Sequence, residues 1–466
     1  MKDIFYKLKT IDGKNKIILK NTIGAFAIKG VALVISFLTT PAFIKYFNNN
    51  IVLGVWYTLF SVLIWFLNFD LGIGNGIRNN LVKAFNTNNR GEAKKIISSG
   101  LFSIITVSLL LMVVGVIVIF SIDLNWLFNV DNGTISKNIL VLSVGFVFGS
   151  IMVRFCLTTI SSIFYALQKS AINNFLALCV SILQLLYVVI FRFQNAEQAL
   201  LYLSIAYLII SNLPVVIAAI ILFSTTLKDC RPSFKSVDKK TTKEILNIGG
   251  IFFFCQIAYM LIANTNEFLI TKLFAPQYTT EYSFYYKLTS LISIAVTLAM
   301  TPIWSVVTKA MVEKDFKWLC KLLRIIKSVG LVAIVFEFAL IPIMQPIMNI
   351  WLGENVVTIN YYTAIAFACF GGAFLYSSML STIVCGMARM KLQLVFYTVG
   401  VVFKFVFTIL AAKVFGLNWD IVVWSNAIIL IPYCVAQQLD LDIYFKKQIK
   451  QYNKTEEVQN DVIIQK

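Results

Sequence analysis

Long apolar stretches alternate with short polar connections along almost the whole chain, and this pattern restricts the fold more than any other feature of the sequence. A helix needs about 20 mostly apolar residues to cross the ~30 Å hydrocarbon layer of a membrane. Twelve such stretches are present, at 17–44, 54–79, 96–120, 138–163, 171–193, 199–223, 247–271, 281–305, 325–348, 361–385, 392–412 and 421–443. Hydrophobic residues make up 59% of the chain and charged residues 13%, against about 45–50% and about 25% in soluble domains. We therefore predict an all-α polytopic membrane protein with about twelve transmembrane helices.

The Lys and Arg residues gather on one side of these stretches. Of the 40 Lys and Arg residues, 28 lie in the terminal segments and the even-numbered connections, Arg78 lies at the edge of one of these connections, and 4 lie in the odd-numbered ones. Because translocation disfavours Lys and Arg, the rich side is expected to be cytoplasmic. Both termini are then cytoplasmic. The net charge of +18 does not indicate nucleic-acid binding, because these basic segments are expected to meet anionic lipid headgroups.

The longest connection on the basic side divides the chain into two sets of six spans. Equal halves are typical of transporters built from duplicated bundles. We predict a cytoplasmic N-terminus, an N-terminal six-helix bundle, a cytoplasmic linker, a C-terminal six-helix bundle and a cytoplasmic tail, at 1–16, 17–223, 224–246, 247–443 and 444–466. The polar tail is expected to fray or to lie on the membrane surface.

Several kinds of chemistry are excluded by the residue types that the chain lacks. The sequence contains no histidine, which removes histidine acid–base catalysis and histidine metal ligands. It also lacks a GxxxxGK[ST] phosphate loop, so ATP hydrolysis by this chain is not expected. We predict no catalytic residue, no metal site, no cofactor and no enzyme activity, so that transport depends on a gradient or on a partner.

Charged residues inside the apolar stretches are the main candidates for function. An ionised side chain at the bilayer centre costs about 2.5–3.5 kcal/mol on insertion scales and usually faces a cavity or a partner. Lys29, Arg154 and Lys404 are three such cations, and Asp70 and Glu337 are two such acids. We predict that the cations bind substrate and that the acids are sites of ion coupling. A structural pairing of Glu337 with Lys404 or with another cation remains the open alternative.

A stripe of hydroxyl side chains follows one face of the eighth stretch. Its members are three or four residues apart and so share a helix face; they are Tyr282, Tyr286, Thr289, Ser293, Thr297 and Thr301. Ser and Thr often join helices in membrane bundles, and that packing role is one interpretation. The other interpretation is a surface that faces sugars, formed chiefly by Tyr286, Thr289, Ser293 and Thr297.

Two segments of the first half carry a family resemblance. One runs from Gly54-Val55-Trp56 through Phe69-Asp70-Leu71-Gly72 to Arg78, preceded by Thr40-Pro41 and Tyr46, and the other is the turn Tyr165-Ala166-Leu167-Gln168-Lys169. They resemble Wzx-type O-antigen and polysaccharide flippases, which are MATE-like members of the multidrug/oligosaccharidyl-lipid/polysaccharide exporter superfamily. The resemblance implies two six-helix bundles around a V-shaped cavity and alternating access by rocking of the bundles.

The resemblance also implies a substrate and a membrane. The substrate would be undecaprenyl-pyrophosphate carrying an oligosaccharide repeat unit, flipped to the outer leaflet of a bacterial inner (cytoplasmic) membrane for lipopolysaccharide or similar surface polysaccharide biosynthesis. Lys29, Arg154 and Lys404 fit the cationic lumen of that family, and a buried pyrophosphate does need compensating cations. The implied partners are the lipid-linked oligosaccharide, a proton or sodium ion, and other polysaccharide assembly proteins.

Three other functions compete with this interpretation. A multidrug or cation antiporter of the same superfamily would need an anionic or apolar cavity, whereas the cations here outnumber the acids. A membrane glycosyltransferase, polymerase or ligase could use the same lipid-linked sugars. Peptidoglycan-precursor flippases form the third group, and they typically have fourteen spans.

Overall fold

The computed structural model of the protein describes residues 13–68, 73–167, 169–246, 250–300, 303–354, 356–387 and 389–464. Within these ranges the regular structure is helical and no strand is present, so the prediction of an all-α protein is confirmed. The chain forms two compact units. The first unit contains Met1–Gly249 and Ala275–Thr280, and the second contains Gly250–Phe274 and Glu281–Lys466.

Nine helices of the described chain lie wholly within the first unit, with two short 3-10 turns between α8 and α9. They are α1 (Gly13–Phe47), α2 (Asn50–Asn68), α3 (Ile73–Asn86), α4 (Arg90–Ser121), α5 (Leu124–Phe128), α6 (Lys137–Ala166), α7 (Ser170–Ile190), α8 (Ala196–Ser224) and α9 (Lys239–Leu246).

The remaining helices form the second unit, although α12 begins in the segment Ala275–Thr280 of the first. They are α10 (Gly250–Ala263), α11 (Asn266–Leu273), α12 (Pro276–Met300), α13 (Ile303–Val312), α14 (Phe316–Ala339), α15 (Met344–Leu352), α16 (Tyr361–Gly386), α17 (Lys391–Lys413) and α18 (Ile421–Ile464).

Nine helical segments of the described chain are long and apolar enough to cross a membrane. They match nine of the twelve predicted spans, and the exceptions are the stretches at 54–79, 247–271 and 281–305. The first exception is divided between α2 and α3, with residues 69–72 outside the described chain. The third corresponds to α12 and α13, with residues 301–302 outside the described chain. The count of twelve continuous spans is therefore not confirmed.

The seventh predicted span is wrong as a continuous helix. The stretch 247–271 is broken into α10 and α11, with a bend at Asn264 and Thr265. Asn and Thr have low helix propensity because their side chains compete for backbone hydrogen bonds. The Thr265 hydroxyl does so here, donating to the Leu261 carbonyl at 2.6 Å.

Helix α6 forms the centre of the first unit and packs against α2, α3, α4 and α8. An aromatic cluster covers the end of the α1–α2 hairpin, where Tyr46 and Trp56 are buried. The Tyr46 hydroxyl donates to the Ala199 carbonyl of α8 at 2.9 Å. A Cβ atom on Gly54 would lie 1.8 Å from the Pro276 carbonyl oxygen of the same unit, so only glycine fits. These residues of the family-like segment thus have a packing role.

The predicted linker at 224–246 is docked onto the first unit. The Ser233 amide donates to Ser98 Oγ at 3.1 Å, and the Asp238 amide donates to Ser99 Oγ at 3.0 Å. Asp238 caps α9 by accepting from the Thr241 amide and hydroxyl, each at 2.8 Å. These hydrogen bonds lower the pKa of the Asp238 carboxyl. Fully buried Ile245 completes the attachment.

Helix α16 forms the centre of the second unit and packs against α13, α14 and α18. Helix α17 lies against α10 and α18. Helix α18 continues from the apolar span to Ile464, so the tail is helical within the described residues and not frayed, while its position on the membrane surface stays a prediction. Near the start of this extension, Arg389 Nη2 lies 3.6 Å from Asp440 Oδ1.

Candidate functional site

A buried polar group of the second unit lies at the break between α10 and α11. Lys404 of α17 is fully buried. Its Nζ atom donates to the Ile262 carbonyl and, at 2.6 Å, to Asn266 Oδ1. Ile262 lies in the last turn of α10, where carbonyls lack the helical amide donors of the following turn. The ammonium group therefore caps an interrupted helix.

Asn266 connects this lysine to two more helices. Its Oδ1 atom also accepts from Asn426 Nδ2 of α18 at 2.9 Å. Its Nδ2 atom donates to the Tyr282 hydroxyl of α12 at 2.9 Å and to the Ala263 carbonyl at 3.2 Å. One buried amide thus joins α10, α12, α17 and α18. We call Lys404, Asn266, Asn426 and Tyr282 the break cluster.

Sequence reasoning singled out Lys404 but missed both asparagines of the break cluster. Each asparagine stands inside an apolar stretch, at 247–271 for Asn266 and at 421–443 for Asn426. A buried amide in such a stretch must be hydrogen-bonded, and that requirement was the available signal. The predicted substrate-binding role of Lys404 stays a prediction, and it requires the bonds to Ile262 and Asn266 to open.

Glu337 of α14 is fully buried, and neither of its carboxyl oxygens has a hydrogen-bond partner among the described residues. It faces α16 at Gly371, where an added Cβ atom would lie 3.0 Å from the Glu337 carboxyl carbon. The absence of a side chain on Gly371 lets the carboxyl group approach the helix. The alternative of a Glu337–Lys404 pair is wrong, since neither carboxyl oxygen has a bonding partner in the described chain.

Arg154 is half-buried in the first unit, on α6. Its Nη1 atom donates to the Ser211 carbonyl of α8 at 3.3 Å. One turn before it, Ser150 Oγ lies 2.7 Å from Ser211 Oγ, and Asn212 Nδ2 donates to the Ser150 carbonyl at 3.1 Å. These partners are all neutral, so the guanidinium charge is hydrogen-bonded without being neutralised.

Two further charged residues were predicted to be functional, Lys29 and Asp70, and the structure describes only the first. Lys29 is exposed on α1 and forms no ion pair with any described carboxylate. Asp70 lies outside the described residues. Arg78, the last residue of the family-like hairpin, lies over the ring of Tyr165 with its guanidinium carbon 5.3 Å from the centroid. The two segments that carry the family resemblance therefore meet in the first unit.

The hydroxyl stripe of α12 is only partly described. Thr301 lies outside the described residues, as does the side chain of Thr297. Thr289 and Ser293 are buried, and the Thr289 hydroxyl donates to the Tyr285 carbonyl of its own helix at 3.1 Å. Tyr286 is half-buried and stacks on Tyr282, with ring centroids 5.6 Å apart. A sugar-facing role for the stripe stays a prediction.

The fold is similar to that of solved transporters. An inward-facing multidrug resistance MATE family transporter of the MOP superfamily matches with a TM-score of 0.71 and 13% identity, over 91% of this chain and 99% of that one. An outward-facing transporter of the same description matches with a TM-score of 0.60 and 14% identity, over 95% and 98%. A Vibrio cholerae MATE transporter in its bent form matches with a TM-score of 0.60 and 13% identity, over 92% and 98%.

No protein-family model and no curated protein matches the sequence. At identities of 13–14% the structural likeness shows the fold alone. The chain has the helical fold of MATE transporters.

Proposed function

We propose that this protein is a flippase that moves undecaprenyl-pyrophosphate-linked oligosaccharide repeat units from the cytoplasmic to the outer leaflet of a bacterial inner membrane. The observation that carries the proposal is the transporter fold combined with two intramembrane cations, Lys29 and Arg154, that form no ion pair with a described carboxylate. Alternating access is the proposed mechanism. It is supported by the inward-facing and outward-facing conformations of structures similar to this one.

The charge distribution favours an anionic substrate. Lys29 and Arg154 form no ion pair with a described carboxylate, and the known bonds of Lys404 are to neutral oxygens. A charge near the bilayer centre is costly unless water or a counter-ion compensates it. A pyrophosphate provides such a counter-ion, and phosphate groups form strong hydrogen bonds with guanidinium and ammonium groups. We assign the binding of the pyrophosphate mainly to Lys29 and Arg154.

The direction of transport is also favourable for an anion. An inside-negative membrane potential drives negative charge outward with about 2.3 kcal/mol per charge per 100 mV. The return of the empty carrier then needs a coupled step. We propose that Glu337 binds a proton in that step, while Asp70 remains the second candidate for ion coupling.

A proton suits Glu337 better than a sodium ion does. An ionised carboxylate buried without hydrogen bonds costs several kcal/mol, and both oxygens of Glu337 are in that situation. A metal cation requires several oxygen ligands, whereas neither Glu337 oxygen has a polar partner among the described residues. Sodium-dependent, proton-independent transport would contradict this assignment.

Substitutions in a host cell that makes a surface polysaccharide but lacks its own flippase test the proposal. Lys29→Gln and Arg154→Gln should lower surface glycan at equal protein level, and Lys29→Arg should retain more activity than Lys29→Gln. Lys45→Gln is the matched control, because Lys45 is an exposed residue in the last turn of the same helix α1. Normal glycan in both Gln variants would exclude the cationic substrate site.

A multidrug antiporter is the second candidate, and one observation favours it: two similar structures are described as multidrug resistance transporters. Efflux of a cationic dye from cells expressing the protein distinguishes the two functions. The flippase proposal expects no efflux above the background of the empty host. Efflux that is lost in Glu337→Gln and unaffected by Lys29→Gln would favour the antiporter.

A further inference from the structure

An apolar groove lies between α7 and α8, within the first unit. Its volume is about 610 Å³, which is within the range of about 300–1,000 Å³ typical of small-ligand sites. The side chains that line most of its length include Phe175, Cys179 and Leu183 from α7 and Leu213, Ile217 and Ile221 from α8. We call this the α7–α8 groove.

The floor and the walls of the groove differ in exposure. Leu176 and Leu222 form part of the floor and are buried. On the walls, Phe175 is 53% exposed and Ile221 is 57% exposed. Both helices are long and apolar enough to cross a membrane, so the open side of the groove suits a hydrocarbon chain better than water.

The polar residues of the groove lie at one end. Lys169 directly precedes α7, and Thr225 and Thr226 directly follow α8. The start of α7 and the end of α8 both belong to the side of the chain that is rich in Lys and Arg, where anionic lipid headgroups are expected. The groove therefore joins a cationic end at the membrane surface to an apolar interior.

The length of the groove corresponds to one leaflet. Leu183 lies 13 residues after Ser170, about 20 Å at 1.5 Å per residue. Leu213 lies 11 residues before Ser224, about 17 Å on the same basis. Half of the hydrocarbon layer is ~15 Å thick, so one acyl chain of a lipid in the cytoplasmic leaflet fits the groove from end to end.

We propose that the α7–α8 groove binds an anionic membrane phospholipid, with one acyl chain between the helices and its phosphate at Lys169. Lys169 is exposed and forms no ion pair with a described carboxylate, so its ammonium group is available to a phosphate. The hydroxyls of Thr225 and Thr226 are 3.5 Å apart. Thr225 donates to the Ile221 carbonyl, which leaves the Thr226 hydroxyl to donate to the same phosphate.

This site is independent of the proposed transport function. A polyprenyl chain is the other lipid that could enter, but the groove ends after about one leaflet and takes a single short chain. Basic pockets between transmembrane helices on the cytoplasmic side are known to bind the headgroups of anionic lipids. The bound phospholipid would hold α7 and α8 together at their basic ends.

Native mass spectrometry of the purified full-length protein tests the proposal. The protein is incubated with phosphatidylglycerol or with phosphatidylethanolamine of the same acyl chains. We expect a preference for phosphatidylglycerol that falls about fivefold in Lys169→Gln, as expected for the loss of one cation near an anionic lipid. Lys391→Gln is the matched control, because Lys391 is an exposed residue at the start of α17. An unchanged lipid preference in Lys169→Gln would overturn the proposal.

A second pair of measurements locates the lipid. Ala218 lines the groove, so Ala218→Trp should fill it and reduce retention of both lipids, and retention equal to the parent would exclude this location. A photoreactive maleimide on Cys179, the single cysteine of an otherwise Cys-free variant, should cross-link to phosphatidylglycerol. The same probe on Cys156 of α6, retained as the single cysteine in a second variant, should not cross-link to phosphatidylglycerol. Displacement of phosphatidylglycerol by undecaprenyl phosphate at Cys179 would assign the groove to the carrier lipid and contradict the proposal.

Discussion

The break cluster predicts an unequal cost for two substitutions that remove the same hydrogen bond. Lys404→Met removes the donor and leaves the Ile262 carbonyl without its side-chain partner. Asn266 Oδ1 still accepts from Asn426 at 2.9 Å, so only one buried acceptor loses its partner. An unsatisfied buried group costs about 1–3 kcal/mol. Methionine fills most of the remaining space because its chain is unbranched and flexible.

Asn266→Ala should cost more, because it removes the acceptor and keeps the charge. The buried ammonium of Lys404 would retain the Ile262 carbonyl alone, and the Tyr282 hydroxyl would lose its 2.9 Å bond. Leaving a buried charge without one of its partners costs about 3–5 kcal/mol. Asn266→Ala should therefore be less stable than Lys404→Met by about 2 kcal/mol. The double variant should lose less stability than the two single variants together, because Lys404→Met removes the buried charge that Asn266→Ala leaves without one of its partners.

Unfolding in detergent measures this difference. The purified parent, the two single variants and the double variant are compared in one buffer. Lys413→Met is the control, since Lys413 is exposed at the end of the same helix α17 and should change stability by no more than about 0.5 kcal/mol. An Asn266→Ala variant that is no less stable than Lys404→Met, or a double variant whose cost equals the sum of the two single costs, would show that Asn266 does not stabilise the buried charge of Lys404.

Three further predictions concern packing, pH and orientation. Gly330→Ala places a Cβ atom 2.4 Å from a ring carbon of Tyr376 on α16 and should destabilise the protein by about 1–3 kcal/mol. Gly145→Ala is the control, because its Cβ atom meets open space and should not change stability. Equal unfolding midpoints for the two variants would contradict this packing. The lowered pKa of Asp238 means that its cap stabilises α9 above the ordinary carboxyl pKa and loses that effect as the pH falls through the lowered value. Hydrogen exchange in α9 should show this acid sensitivity in the parent and not in Asp238→Asn, and an equal pH response would disprove it. Single cysteines in 224–246 should be shielded from an impermeant thiol reagent in intact cells and those in 121–137 should react; the reverse pattern would overturn the orientation.

Hydropathy was sufficient to predict the helical class and most spans, because each long helix of a membrane protein is a continuous apolar stretch of the sequence. It failed at 247–271, where averaging over the whole stretch hides the bend at Asn264 and Thr265. The helical tail was missed for the opposite reason. A polar segment after Phe445 has no local apolar signal, and its continuation of α18 to Ile464 follows from the helix that precedes it.

The candidate site was less predictable because it depends on distant partners. Lys404 lies 138 residues from Asn266, and no spacing rule relates them. Glu337 was correctly placed inside a span, but its partnership with Lys404 was wrong because the lysine caps α10 instead. The α7–α8 groove had no sequence signal at all, since its apolar residues are indistinguishable from those that pack against neighbouring helices.

Transport of a lipid-linked glycan by the reconstituted protein is the decisive test of the proposed flippase function. The purified parent protein is placed in proteoliposomes with a fluorescent undecaprenyl-pyrophosphate-linked oligosaccharide, and movement of the glycan between leaflets is followed by its accessibility to an impermeant quencher. We expect translocation by the parent that is strongly reduced when Lys29 and Arg154 are both replaced by Gln, and retained when exposed Lys45 is replaced. Parent protein that moves a cationic dye but not the lipid-linked glycan, or a double variant that flips as fast as the parent, would contradict it.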